Sequence, residues 1–155
     1  MDLQNFIDSS KDYISSLKSD GFIIKTFSKY SLYLLKYPYD KEIDPTTYER
    51  YCRGALVHMD TKRVLFVPPV KASQTTFVES DSIQELYDGT MINMFFHNNE
   101  WILTTRSDVG LKNKWGKKSF KTLFEECGGN NLYNNQLNKD YTYSFVMQHV
   151  ENRNV

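Results

Sequence analysis

Cysteine is almost absent from this chain of 155 residues, which carries only Cys52 and Cys127. Two thiols so far apart supply neither a framework of bridges nor the paired spacing of a zinc site, so both are expected as free thiols in a reducing compartment. Net charge is absent as well, since 19 Lys and Arg balance 19 Asp and Glu. No global field therefore draws the chain to nucleic acid or to a membrane, and any polyanion site must come from local clustering. No apolar run approaches the roughly 20 residues of a membrane span, and the acidic, polar start MDLQNFIDSS is unlike a secretory signal. A cytoplasmic protein is expected. Internal repeats and linker-like tracts are also missing, which points to one domain over residues 1–155.

What is present argues for a folded core. A hydrophobic content of 40% with 15% aromatics excludes a disordered chain. Leu3, Phe6, Ile7, Tyr13, Ile14 and Leu17 recur at helical spacing and predict one amphipathic helix from Asp2 to about Lys18, stopped by Gly21. FIIKTF and SLYLLKY read as strands, and Pro38 and Pro45 bracket an irregular segment. Gly54 to Met59 and Arg63 to Val67 predict a hairpin across Asp60-Thr61, closed by Pro68-Pro69.

The richest stretch runs from Asp88 to Ser107, where two apolar runs flank Asn98-Asn99, a pair suited to a two-residue hairpin turn. The register then sets Phe96 against Trp101, Met94 against Leu103 and Ile92 against Thr105, an apolar face expected in the core. The opposite face carries Met91, Asn93, Phe95 and His97 against Glu100, Ile102, Thr104 and Arg106, and is expected to meet water or a ligand, with Phe95 a candidate for base stacking. Asp108 to Lys118 reads as irregular. Ser119 caps a helix bearing Phe120, Leu123, Phe124 and Cys127, ended by Gly128-Gly129. A short helical turn within 130–139 and a strand from Tyr141 to His149 complete the chain. The fold class is α+β, a mainly antiparallel sheet of hairpins with flanking helices.

His58, His97 and His149 stand far apart in sequence, without Cys or Glu at ligand spacing, so no metal site is predicted. No nucleophile-elbow glycine pattern surrounds a Ser or Cys. More informative are Arg53, Lys71, Arg106 and Arg153, which the strand assignments bring to one sheet. Gathered around one pocket they would suit a triphosphate or a nucleic-acid end; scattered, they are four solvated surface charges.

The order YERYCRGALVHM, FVPPVKA, DGTMINMFFHNNEWILTTRS and YTYSFVMQHVENRNV resembles the adenylation domain of phage-type RNA ligases, members of the covalent nucleotidyltransferase superfamily, and looks closest to divergent relatives carried by large DNA viruses. The resemblance spans roughly Tyr30 to Val155. It implies a phosphate-binding role for Arg53 in Cys52-Arg53-Gly54, and the same for Lys71 after Pro69, for Arg106 in Thr105-Arg106-Ser107 and for Arg153 in Asn152-Arg153-Asn154-Val155. Asp88 and Thr90 of Asp88-Gly89-Thr90 would shape the pocket. ATP and Mg²⁺ are the implied cofactors if the domain is active, RNA ends the implied partners, and a host cytoplasm the implied location if the chain is viral.

Two departures bear on chemistry. The family's nucleophile is a Lys two residues before that Asp, where an amine attacks the α-phosphate of ATP to give lysyl-AMP; here the position is Leu86. The family's ribose-holding carboxylate of the last strand is replaced by Val146. Complete enzymes continue through further strands that close the pocket, so the resemblance also implies an incomplete domain. Three readings stay open: a piece of a longer ligase-like protein, a pseudo-ligase that keeps nucleotide or RNA-end binding, or an enzyme in which Lys71 substitutes as nucleophile. A non-enzymatic binding or scaffold protein, viral on this resemblance, is the alternative from another class.

Overall fold

The computed structural model describes residues 2–72, 85, 87–134 and 137–152. Asp2 accepts the Asn5 N–H at 2.8 Å and so caps α1 (Leu3–Ser9). The single opening helix expected from periodicity is in fact two. The Ser9 and Ser10 hydroxyls turn back onto the Phe6 carbonyl at 3.1 and 2.7 Å, and Asp12 takes the Ser15 N–H and hydroxyl at 3.1 and 2.7 Å, starting α2 (Tyr13–Ser19). Short polar side chains that bond the local backbone compete with the helical ladder, and a run of them ends one helix and starts the next.

The remaining elements are β1 (Ile23–Phe27), β2 (Leu32–Lys36), β3 (Arg53–His58), β4 (Val64–Phe66), β5 (Thr90–His97), β6 (Glu100–Thr104), β7 (Lys114–Trp115), β8 (Lys118–Ser119), α3 (Phe120–Glu126), α4 (Asn130–Asn134) and β9 (Tyr143–Met147). The fold is α+β, with strands paired antiparallel into a first sheet of order β1-β2-β3-β4, a second of order β6-β5-β9 and a two-stranded ribbon β7-β8. That ribbon lies inside the stretch expected to be irregular. The turn before it is built by Asp108, whose carboxylate accepts the Lys112 and Asn113 N–H groups at 2.6 and 3.0 Å.

Four layers result. Helices α1 and α2 cover the outer face of the first sheet through Leu3, Ile7, Tyr13 and Leu17 against Leu35, Ala55 and Val57. Between the sheets lie Leu32, Leu34, Leu56, Phe66, Phe95 and Ile102. On the far side of the second sheet, Ile92, Met94 and Leu103 pack on Leu123 and Phe124 of α3.

The central hairpin turns at Asn98-Asn99 with φ of 48° and 64°, the left-handed pair that suits a tight hairpin. Phe96 faces Trp101 and Met94 faces Leu103 as expected, but the ladder stops at Asn93 opposite Thr104. Ile92 and Thr105 do not pair because the Thr105 N–H bonds to the Asp108 carbonyl at 2.9 Å. The second face of this hairpin requires a larger correction. Phe95 and Ile102 are each only 3% exposed, and Phe95 stacks on Phe66 with ring centroids 5.6 Å apart. The first sheet lies across this face, so Phe95 is core and offers no surface to a base.

At the far end of the inter-sheet slab, β3 ends in His58 and β5 in His97, distant in sequence yet edge to edge with centroids 5.8 Å apart. Among the described residues, no group of three or more His, Cys, Asp or Glu side chains is placed to hold a metal ion. Burial, with repulsion from His58 outweighing the attraction of Glu100, holds His97 below the ordinary histidine value of 6.5, and its Nε2 is enclosed without a partner among the described residues. The unfolded chain therefore takes up the proton first as pH falls. Stability conferred by neutral His97 is complete above about 6.5 and is lost as pH drops from there toward the folded value. His97→Gln is expected to flatten the fall in thermal midpoint between pH 7 and pH 5; an unchanged slope would rule out this origin.

Candidate functional site

The other end of the slab opens into a cleft of about 670 Å³ lined by Arg53, Asp88, Thr90, Asn93, Arg106, Ser107, Trp115 and Val146 among others, a size typical of small-ligand sites. It exists because both sheets change character along their length. In β2 the inward residues run Leu32, Leu34, Lys36, so the apolar stripe ends in a cation that bonds to Ser107, a residue of the cleft wall. In β3 the register slips by one residue, leaving Arg53 opposite Lys36 while Ala55 stays opposite Leu35. Directly opposed residues share a face, so this bulge turns Arg53 from the helix-covered side to the inter-sheet side.

Gly54 makes the slip possible. Its φ is +106°, and a Cβ there would lie 3.0 Å from the Arg106 Cα and 3.1 Å from the Arg106 carbonyl oxygen. The backbone of the Cys52-Arg53-Gly54 turn thus abuts the backbone of the Thr105-Arg106-Ser107 turn, two motifs about fifty residues apart, and sets their arginines on one cleft. Arg106 donates from Nη2 to the Tyr37 carbonyl at 2.9 Å and lies 5.0 Å over the Tyr37 ring, while its Nε is enclosed without a partner among the described residues.

At the opposite wall, Gly89 admits β9: a Cβ there would stand 2.6 Å from the Met147 carbonyl oxygen and 2.7 Å from Val146 Cγ1. Gln148 donates to the Asp88 carbonyl at 2.9 Å, and buried Asn152 donates to Thr90 Oγ1 at 2.7 Å. The start of β5 is therefore held by the segment after β9. Val146 is 45% exposed and lines the cleft at the position where the resemblance places a ribose-binding carboxylate.

Comparison with family models, curated proteins and solved structures returns no match.

Of the residues singled out in the sequence, Arg53, Arg106, Asp88 and Thr90 meet on this cleft. Lys71 does not; it lines a separate depression with Tyr37, Tyr39, Lys41 and Arg50, and the chain between Pro69 and Lys71 does not carry it to the arginines. Arg153 and Leu86 lie outside the described residues. Cys52 of the C-R-G turn is fully buried, and burial, aided by Glu49, pushes its thiol up to about 12, so it supplies no thiolate at neutral pH.

Two further cations, outside the cleft lining, bond to Ser107, which lines it. Lys36 Nζ donates to Ser107 Oγ at 3.0 Å and Lys25 Nζ to the Ser107 carbonyl at 2.8 Å. Lys25 and Lys36 lie on the same face of β1-β2, because Ile23 opposes Lys36 and side chains two apart share a face. The legible signal was a lysine standing in phase with the apolar residues of each strand.

Proposed function

We propose that the chain is an RNA-ligase-like nucleotidyltransferase domain whose cleft takes the phosphates of a nucleotide or of a nucleic-acid end, without the usual lysyl-AMP chemistry. The observation that carries this reading is the backbone contact of Gly54 with Arg106, which sets Arg53 and Arg106 on one cleft. Guanidinium groups bind phosphate oxygens bidentately, and two held by a rigid contact lose little freedom on binding. Asp88 is the one carboxylate lining the cleft among the described residues and would hold Mg²⁺ together with the ligand's own phosphates. Trp115, 44% exposed on the cleft wall, supplies the aromatic surface that buried Phe95 does not, and would stack on a base. Leu86 offers no lone pair, so attack on the α-phosphate by that residue does not occur.

Isothermal titration with ATP and Mg²⁺, with intact-mass analysis of the same mixture, tests the reading. Saturable binding without an added AMP is expected. Arg53→Ala should weaken ATP at least tenfold, the scale of one charge-assisted hydrogen bond, and it disturbs little else, since no intramolecular hydrogen bond of its side chain is found among the described residues. A covalent AMP would overturn the non-catalytic part. Absence of binding by both ATP and 5′-phosphorylated oligonucleotides would leave the scaffold reading.

A further inference from the structure

The short turn after β9 ties α3 and β8 to the start of β5 through a histidine that the proposed function does not use. The side chain of His149 is only 12% exposed. Its Nδ1 accepts the Glu151 N–H at 3.0 Å, and the Asn152 N–H returns to the His149 carbonyl at 2.9 Å, which closes the turn. A ring nitrogen that accepts an N–H carries no proton, so the neutral ring bears its proton on Nε2 and donates it to Glu126 Oε2 at 2.9 Å. From this turn, buried Asn152 donates to Thr90 Oγ1 at 2.7 Å, and Gln148, just before it, donates to the Asp88 carbonyl at 2.9 Å. Both Thr90 and Asp88 line the cleft.

The groups around the ring leave it as the one that changes charge. Glu126 and Cys127 face it from α3, Lys118 from β8, and Glu151 from the turn itself. Lys118 donates to Glu126 at 2.9 Å and to Glu151 at 2.7 Å. The bond from Lys118 holds Glu126 below the ordinary carboxylate value of 4.5, while Glu151 and then Glu126 hold Lys118 above the ordinary lysine value of 10.5. Burial, then Glu126, keeps the Cys127 thiol above its ordinary 9.0, and that thiol donates to the Gln148 carbonyl at 3.1 Å. Histidine, in contrast, ordinarily changes charge between about pH 5 and 8. Protonation puts a hydrogen on Nδ1, where it meets the Glu151 N–H head on, whereas the bond from Nε2 to Glu126 survives and strengthens. The ring therefore stays on α3, and the turn gives way. Opening also frees Asn152, whose Oδ1 is enclosed without a partner among the described residues and regains one in water.

We infer that His149 is an acid-operated latch on the cleft wall: with the ring neutral the turn is closed and Asn152 holds Thr90, and with the ring charged the turn opens and Thr90 is released. The device acts on the wall itself and does not depend on the nucleotide reading. It goes beyond that reading by giving the cleft a second, pH-dependent shape.

The test is NMR spectroscopy of the protein from pH 8 to pH 5, read at the ring nitrogens of His149 and at the backbone amides of Thr90, Glu151 and Asn152. At pH 8 the His149 proton is expected on Nε2, and the three amides should shift along the same curve as the ring, in the wild type and equally in His97→Gln. His149→Asn takes up no proton, yet its side-chain oxygen can accept the Glu151 N–H two residues on; its three amides should keep their pH 8 positions at pH 5. His149→Gln can reach Glu126 but leaves the Glu151 N–H without that acceptor, so at pH 8 it should resemble the wild type at pH 5. A proton on Nδ1 at pH 8, a ring that keeps one charge state across the range, or a Thr90 amide that stays fixed while the ring titrates would each overturn the inference. These three are read on the wild type and stand even where a variant does not fold. A Thr90 shift that persists in His149→Asn would overturn it as well.

Discussion

Replacing Phe95 by alanine is expected to destabilise the protein by about 3–5 kcal/mol, the range for a buried phenylalanine reduced to a methyl group. The ring sits between the two sheets, 3% exposed, stacked on Phe66 and packed with Leu34, Leu56 and Ile102. Its removal opens a void that no single neighbour can fill, because the surrounding side chains are held by two hydrogen-bonded sheets. Urea or thermal denaturation measures the loss. A base-stacking Phe95 would behave in the opposite way, with stability near wild type and nucleotide affinity reduced, and that outcome would refute the buried placement.

Gly54→Ala is expected to cost about 2–5 kcal/mol and, through the displaced Arg106 turn, to abolish the proposed nucleotide binding. Two effects add: an L side chain at φ +106° meets backbone strain of about 1–2 kcal/mol, and the new methyl drives into the Arg106 backbone at 3.0 Å, overpacking worth roughly 1–3 kcal/mol. Gly21→Ala provides the control. Gly21 also has a positive φ, +82°, but a Cβ there meets nothing within 4 Å, so only the strain should register. If both variants lost the same stability, the contact between the two arginine-bearing turns would carry no weight.

How far these features were legible depended on whether the controlling interaction was local. The Asn98-Asn99 turn and the Ser119 cap, which accepts the Thr122 N–H at 3.1 Å, are set by neighbouring residues, and the sequence reading found both. The break between α1 and α2 was local too, but it depended on Ser10 and Asp12 outweighing an unbroken apolar period. The burial of Phe95 was not local. A strand of period two shows which residues share a face, not whether a second sheet will cover it. Convergence of Arg53 with Arg106 was readable only as an expectation, since the bulge that turns Arg53 inward and the contact through Gly54 belong to the tertiary structure. Lys25 and Lys36 were passed over because each sits in a strand that otherwise reads as plain core. Lys71 was included because it follows Pro69 at the expected spacing, yet the fold sets it in the neighbouring depression.

The ribbon β7-β8 gives the cleft an optical consequence. The chain has two tryptophans; Trp115 lies open on the cleft wall, whereas Trp101 is wedged edge-on between Phe96 and Tyr143 on the opposite side of the second sheet. Their emission should separate into a red-shifted, iodide-quenchable component from Trp115 and a bluer, shielded one from Trp101. An occupant of the cleft would shield the first and spare the second, so the unlabelled protein carries its own reporter of occupancy.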